Sequence, residues 1–313
     1  MSTLYFRFSA RAPNSPARAP LLERLLARAD GVPVADWREE AFRVIAPAGA
    51  ALPAVAAAAL AAVTAAAPAA GGATGASVLV ATPVHFEAGM SSVGLPPDGL
   101  LRLEPAELDA LVADFNRVFA ESGMRLMRGG GGLLCLFDAP LRAETSPPEA
   151  AAGRDLWPFM PRGTDAARLR RHMTEIEMWL FEHAVNERRR ALGAPAISGL
   201  WLWGAGATGL ALPAVTGWTA GEDPLFMAFG RRAQFPAEPA SGVVVVTESP
   251  GSPEWRAVEQ RWLAPASAAL RAGRLGRLKL SAADRGFELN ARAHWRLWRR
   301  PRPWWELLQR EEA

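Results

Sequence analysis

The sequence predicts a mixed α/β protein whose sheet is flanked by helices. Apolar residues make up 50% of the 313-residue chain and charged residues 21%, the ordinary balance of a globular protein that buries a core. Segments with helical spacing of apolar residues alternate with short runs rich in β-branched residues. The run GVVVVT at residues 242–247 is continuously apolar, as strands buried on both faces are. A chain of this length has room for one large domain or two lobes.

The first half of the chain predicts helices before the first strand. Four leucines between residues 21 and 26 recur at helical spacing behind Pro20, a favoured first residue of a helix. The uncharged stretch 46–70 is dominated by alanine and interrupted by prolines, so a helix of a soluble domain is favoured over a membrane span. The expected elements are helices at 20–29, 36–44 and within 46–70, a strand at 76–86, a helix at 103–122, and a hairpin of strands at 124–127 and 133–137.

A proline-rich segment divides the predicted domains. Residues 139–153 are the expected linker between an N-terminal α/β lobe, residues 1–138, and a C-terminal α/β lobe, residues 154–313. The elements expected in the C-terminal lobe are a long helix at 165–192, strands at 199–203 and 242–247, a helix at 253–272, and a terminal hairpin of strands at 274–280 and 286–300.

Charge and cysteine content narrow the function classes. The formal net charge is only +3, and Lys279 is the only lysine among many arginines. A net charge this small does not predict nucleic-acid binding. The single cysteine, Cys135, lies in the apolar run LLCLF, where a thiol behaves as a small buried side chain, and it has no disulfide partner in the chain. Since no apolar signal segment lies near the N-terminus, we expect a cytoplasmic protein.

A polar stripe on the predicted 165–192 helix is the first candidate site. Asn186 and Arg189 follow Glu175 by eleven and fourteen residues, and Glu182 follows it by seven. At about 100° per residue, all four side chains fall near one line on the helix surface. Such a stripe either binds a polar ligand or forms a solvated face of ion pairs, and the stripe alone favours the solvated face.

The strand after this helix shifts the balance towards a ligand site. The bulky segment containing Trp201 and Trp203 stops in the sequence at Gly204 and Gly206, which predicts a glycine turn with free backbone N–H groups. Ligands gather at such strand ends in open α/β sheets. The two tryptophans are interpreted as core side chains in preference to stacking platforms. The predicted ligand contacts are Glu175, Glu182, Asn186, Arg189, Trp201, Trp203, Gly204 and Gly206.

The segment TEIEMWLFEHAVNERRRALGAPAISGLWLWGAG, residues 174–206, resembles the signature of the RpfE-type regulatory proteins of proteobacteria. It is also similar to part of the archaeal-type cofactor-independent phosphoglycerate mutases. Ala184 and Ser198 depart from the family pattern, which has proline and asparagine there. The resemblance implies a phosphatase- or phosphomutase-like α/β scaffold with a regulatory or ligand-binding role.

The histidines do not predict metal chemistry. Phosphomutases of that superfamily use two divalent ions held by aspartates and histidines, with a serine or threonine nucleophile. The histidines are far apart in the sequence and lack an aspartate-rich motif; they are His85, His172, His183 and His294. We therefore expect no metal site and no cofactor, and favour a non-enzymatic role. The alternative is a phosphoglycerate mutase-like isomerase or a phosphatase, in which Arg189 and the glycine turn hold phosphate.

The C-terminal segment mixes tryptophans with arginines between residues 292 and 305. Such a mixture occurs in single-stranded nucleic-acid binders and at membrane surfaces, which supports a weaker, nucleic-acid-associated alternative. The alternation in AHWRLWRR favours a terminal strand with tryptophans inside and arginines outside. The expected partner is a polar or phosphorylated small molecule, or a protein; nucleic acid is disfavoured and no membrane span is expected.

Overall fold

The computed structural model describes residues 2–10, 16–66, 76–89 and 92–308. The chain divides into two compact units: unit 1 consists of Met1–Leu52 with Pro213–Ala313, and unit 2 of Pro53–Leu212. This division differs from the expected one, because residues 139–153 lie inside unit 2. There, Leu141 donates its backbone N–H to Ser77 Oγ at 2.9 Å, which ties the segment to a strand of the unit 2 sheet.

The elements follow one another in chain order through both units. The strands are β1 (Thr3–Arg7), β2 (Asp30–Pro33), β3 (Ser77–Val84), β4 (Glu87–Ala88), β5 (Val93–Leu95), β6 (Met124–Gly129), β7 (Gly132–Phe137), β8 (Arg154–Asp155), β9 (Gly199–Ala207), β10 (Trp218–Gly221), β11 (Gly242–Val245), β12 (Arg277–Ala282) and β13 (Arg285–Asn290). The helices are α1 (Pro20–Arg28), α2 (Trp37–Ile45), α3 (Val55–Ala66), α4 (Pro105–Val118), α5 (Ala166–Phe181), α6 (Ala184–Ala191), α7 (Pro224–Met227), α8 (Trp255–Val258), α9 (Ala264–Arg271) and α10 (Trp304–Leu308).

Unit 1 is built on a mixed sheet in the order β10-β11-β1-β12-β13-β2. The four strands from β10 to β12 are parallel to their neighbours, whereas β12, β13 and β2 pair antiparallel. One face buries Leu4, Phe6 and Leu278 with apolar residues of α1 and α9. Helix α2 packs against β1 and β11. The mixed α/β class predicted from the sequence is confirmed.

The strand β1 was missing from the predicted elements, although it lies inside the sheet. Its residues TLYFR form a run of only five, and their partners are distant in sequence: Leu4 lies opposite Gly242 on one side and Leu278 on the other. No hairpin turn or helix next to it in the sequence indicates that this segment is a strand. Its strand identity becomes recognisable only through these long-range pairings.

Unit 2 contains an antiparallel sheet in the order β6-β7-β3-β9 and a small sheet in the order β4-β5-β8. Helix α3 packs against β3 and β9. Apolar residues of α4 and α5, such as Phe115 and Ile176, share a core with Cys135 and Leu202. The predicted hairpin at 124–137 is confirmed as β6 and β7. The predicted helix within 46–70 corresponds to α3, while residues 67–70 lie outside the described residues.

Two expected elements end earlier than predicted. The helix expected at 165–192 breaks after Phe181, because His183 adopts an extended backbone and caps α6. The terminal strand expected to reach residue 300 ends at Asn290, where the Asn290 side chain accepts from Arg292 N at 3.0 Å and a 3₁₀ turn follows. Within the described residues, no helix is long and apolar enough to cross a membrane.

Candidate ligand-binding site

Asn186 closes the corner between α5, α6 and the approach to β9. Its Nδ2 donates to Leu180 O at 2.7 Å and to Ile197 O at 2.9 Å, and its Oδ1 accepts from Ile197 N at 2.7 Å. The residue is 3% exposed. A buried amide with both ends satisfied stabilises the chain turn that it bridges. The structure therefore gives Asn186 an architectural role.

Arg189 is fixed in a similar way on the next turn of α6. Its Nε donates to Pro195 O at 2.7 Å, and its Nη1 donates to Glu107 Oε1 at 2.9 Å. Glu107 also closes the capping box of α4 by accepting from Glu104 N at 2.8 Å. Arg189 thereby joins α6 to the start of α4.

His183 determines where α6 begins. Its Nδ1 accepts from Val185 N at 3.1 Å, which leaves the ring proton on Nε2, 3.3 Å from Asp114 Oδ2. Nε2 lies at ion-pair distance from this carboxylate but is not aligned for a hydrogen bond. Burial lowers the pKa of His183, and Asp114 opposes this shift without reversing it. Neutral His183 is thus the form that suits the helix cap.

The two glutamates of the predicted stripe remain near the surface. His172 Nδ1 donates to Glu175 Oε2 at 3.1 Å, and Glu182 is exposed at the end of α5. Because the helix breaks at His183, the four stripe residues do not lie on one continuous helix face. The expected single line of polar side chains is corrected to a partly buried Glu175, an exposed Glu182 and a buried pair, Asn186 and Arg189.

The expected glycine turn is a continuation of β9. The strand runs to Ala207, with an irregular register opposite Val78 and Val80, and Gly204 N donates to Thr145 Oγ1 at 3.0 Å. Helix α3 approaches so closely that a Cβ on Gly206 would lie 2.8 Å from Ala57 Cβ. The prediction that the backbone N–H of Gly204 is free is therefore wrong. Gly204 and Gly206 instead leave room for the close approach of α3.

Trp201 and Trp203 are buried, as the core interpretation of these side chains required. Trp201 Nε1 donates to Ser146 O at 2.8 Å, and Trp203 Nε1 donates to Thr82 Oγ1 at 2.9 Å. Leu200 and Leu202 belong to the core with α4 and α5, so the alternating tryptophans point to the opposite face of the sheet. The predicted site residues do not converge on one cavity.

A cavity lined by both charged and apolar residues lies instead in unit 1, at the carboxyl ends of parallel strands β10 and β11. Its volume is about 380 Å³, and Gly221 and Val245, the last residues of these strands, line it. This edge is where open α/β sheets bind their ligands. The charged residues that line the cavity are Glu222, Arg231, Arg232, Glu248, Glu254 and Arg261.

Two of the cavity arginines face solvent without a described partner. The side chains of Arg232 and Arg261 are exposed and make no hydrogen bond or ion pair with another residue in the described ranges. Arg231 lies 3.9 Å from Glu222, which also accepts from Thr247 Oγ1 at 3.2 Å. The cavity thus offers guanidinium groups that an anion can engage.

The helix wall of the cavity contains a π-helical turn at Glu259–Leu263, between α8 and α9. Ala264 N donates to Glu259 O, five residues back, and Pro265 has no N–H for the carbonyl of Arg261. Such turns occur often at functional sites. Arg261 and Trp262, which line the cavity, lie within this turn.

A buried ion pair joins Asp223, two residues after β10, to Arg38 of α2. Arg38 Nε and Nη2 donate to Asp223 Oδ2 at 3.0 and 2.9 Å, and both side chains are nearly inaccessible. The guanidinium carbons of Arg38 and Arg7 lie 4.4 and 4.9 Å from the centre of the Trp37 ring. Asp223 Oδ1 also caps α7 by accepting from Leu225 N at 3.0 Å. These contacts fix the chain beside Glu222.

Sequence reasoning missed this cavity, although a signal was present. Charged residues follow two apolar strands directly, in the runs WTAGED and GVVVVTE. Recognising their convergence requires knowing that β10 and β11 are parallel neighbours. Among the described residues, no group of three or more histidine, cysteine, aspartate or glutamate side chains is placed to hold a metal ion.

Comparison with known proteins gives structural matches only. No protein-family model and no curated protein sequence matches the chain. The chain is similar to a cofactor-independent phosphoglycerate mutase from Thermoplasma acidophilum, with 11% identity, a TM-score of 0.35, and coverage of 92% of this chain and 89% of that one. It is also similar to the PH0037 protein from Pyrococcus horikoshii, with 11% identity, a TM-score of 0.33, and coverage of 92% and 87%. At these scores the likeness assigns neither a function nor a site.

Proposed function

We propose that the chain is a ligand-binding regulatory protein of the RpfE type whose ligand is a small anionic molecule, such as a phosphorylated metabolite. The observation that carries the proposal is the cavity of about 380 Å³ at the carboxyl ends of β10 and β11. Its volume falls in the range of small-molecule sites, and Arg232 and Arg261, which line it, offer guanidinium groups to an anion.

The RpfE-type assignment is supported by the resemblance in residues 174–206 and by the roles of two residues within it. Asn186 and Arg189 bond the backbone of the segment between α6 and β9, so their spacing serves the architecture of unit 2. In this proposal the signature marks a structural element shared with the RpfE-type proteins. The regulatory ligand binds in the cavity of unit 1 instead. A cytoplasmic location is part of this proposal, supported by the buried, unpaired thiol of Cys135.

The alternative binding site for the ligand is the set of residues predicted as ligand contacts within the signature, residues 174–206. There, Glu175 and Glu182 are accessible to a ligand or a protein partner. Replacing both by glutamine leaves the unit 1 cavity intact. Binding lost in Glu175→Gln/Glu182→Gln and kept in the cavity variants would place the ligand on unit 2.

Calorimetric titration tests the cavity. We expect 3-phosphoglycerate or inorganic phosphate to bind the full chain, and glycerate, which lacks the phosphate, to bind more weakly. In Arg232→Gln/Arg261→Gln the Kd for the phosphorylated probe should rise at least about tenfold, because two charge-assisted hydrogen bonds are lost. Arg271→Gln is the matched control, since Arg271 is exposed in α9 and does not line the cavity. An unchanged Kd in the double variant, or no binding of either probe, contradicts the proposed site.

The alternative function is that of a phosphate-ester enzyme. An activity assay on the full chain distinguishes it from the regulatory function. Turnover of phosphoglycerate that depends on added Mn²⁺ or Mg²⁺ and disappears in Arg189→Ala would replace the regulatory proposal. The variant needs a folding control, because Arg189 also joins α6 to α4 through Glu107.

A further inference from the structure

The segment after the last strand of unit 1 exposes apolar side chains between arginines. Trp295, Leu297 and Trp298 expose 68%, 69% and 73% of their surface. Single exposed apolar residues are normal, whereas three such side chains within four residues form a patch that marks an interaction site. The sequence favoured a strand with these tryptophans inside, so the structure reverses their expected environment.

Two arginines brace this segment against the body of unit 1. Arg296 Nη1 and Nη2 donate to the two oxygens of Asp30 at 2.7 and 2.8 Å, and Arg299 Nη1 donates to Ala29 O at 2.7 Å. At the end of the segment, buried Trp304 donates from Nε1 to Ala17 O at 3.0 Å. The exposed side chains are therefore presented from a fixed backbone, which lowers the entropy cost of docking.

Three further arginines complete the patch. The side chains of Arg292, Arg300 and Arg302 are exposed and have no hydrogen-bonding or ion-pairing partner within the described ranges. The nearby carboxylate of Asp30 is already engaged by Arg296 and Arg299. The segment therefore combines exposed arginines that have no described partner with exposed aromatic and aliphatic surface.

We propose that residues 292–302 form a docking site for an anionic lipid surface. Indole rings favour the headgroup level of a bilayer, leucine favours the acyl boundary, and guanidinium groups bind lipid phosphates. Leu297 favours lipid over single-stranded nucleic acid, because bases stack on aromatic rings and gain little from an aliphatic side chain. This docking is peripheral, and it is independent of the cavity proposed to bind the small ligand.

Vesicle sedimentation with the full chain tests the proposal. We expect binding to phosphatidylcholine vesicles that contain phosphatidylglycerol, little binding to phosphatidylcholine alone, and weaker binding as salt is raised. Trp295→Ser/Trp298→Ser and Arg300→Gln/Arg302→Gln should each reduce the bound fraction at subsaturating lipid, with partition coefficients falling about tenfold. All four side chains are exposed, so the fold should persist, and circular dichroism verifies this.

The matched controls are Trp157→Ser, which removes a 76% exposed tryptophan from unit 2, and Arg271→Gln. Both should bind anionic vesicles like the unchanged protein. Equal binding to neutral and anionic vesicles, or no vesicle binding by the unchanged protein, overturns the proposal. Binding to single-stranded oligonucleotides that the two double variants abolish, without vesicle binding, assigns the patch to nucleic acid instead.

Discussion

Asn186 and Ile197 are joined by a reciprocal pair of hydrogen bonds. The Asn186 amide donates to Ile197 O at 2.9 Å and accepts from Ile197 N at 2.7 Å, as an adjacent strand would. A side chain thus extends backbone pairing into the loop before β9. This arrangement explains why a conspicuous polar residue of the signature is not free to meet a ligand.

Asn186→Ala should lower the free energy of unfolding by about 3 kcal/mol, because it removes three hydrogen bonds and leaves buried backbone groups unpaired. Urea denaturation followed by circular dichroism measures this change. Glu182→Ala is the control, since Glu182 is exposed and its removal should change stability by less than about 0.5 kcal/mol. Similar stabilities of the two variants would show that the Asn186 bridge is dispensable.

His183 should make the stability of the protein depend on pH. Burial lowers its pKa below the ordinary value of 6.5, so the folded chain binds this proton less readily than the unfolded chain does. The stabilising contribution is therefore complete above about pH 6.5 and is lost as the pH falls from there towards the lowered pKa.

Thermal unfolding at a series of pH values tests this sign. His183→Asn keeps a side-chain cap for α6 but removes the titrating ring, so its stability should vary less between neutral and mildly acidic pH. A variant with the same acid sensitivity as the unchanged protein would assign that sensitivity to other groups.

The ion pair between Arg38 and Asp223 should behave differently from an exposed pair. Asp223→Asn should cost about 3–5 kcal/mol, since it removes the negative charge that faces Nε and Nη2 of the buried Arg38 guanidinium. The matched exposed pair is Arg43 with Glu39, four residues apart on α2, and Glu39→Gln should cost less than about 1 kcal/mol. Chemical denaturation of both variants gives the comparison, and equal costs would contradict the role of burial.

Cys135 should be inert in the folded protein. Burial raises the pKa of its thiol to about 12, and the residue is fully enclosed on β7. A thiol-specific reagent at pH 8 should therefore react at a measurable rate only after denaturant is added. Rapid labelling of the native chain would show that the core around β7 opens readily.

The elements that could be predicted from the sequence are those whose signals are local. Asp36 accepts from Arg38 N and Glu39 N and caps α2, which lies in the segment 36–44 where the spacing of apolar residues predicted a helix. The glycines between β6 and β7 likewise predicted a hairpin, and Gly129 lies opposite Gly132.

The rest depended on relationships between distant residues. The spacing of polar residues alone could not show that the predicted helix breaks at His183, between α5 and α6. The cavity of unit 1 required β10 and β11 to be recognised as parallel neighbours. Arg231 and Arg232 are about thirty residues from Arg261 in the sequence, and all three line the same cavity only in the folded unit.

The division of the chain into two units has a consequence for the order in which they fold during synthesis. Unit 2 is one continuous stretch, so all of its strands have been translated by residue 212. The strand β1 must wait for partners at Gly242 and Leu278 before its sheet can close. During translation, unit 2 can therefore fold while the first strand of unit 1 still lacks its neighbouring strands.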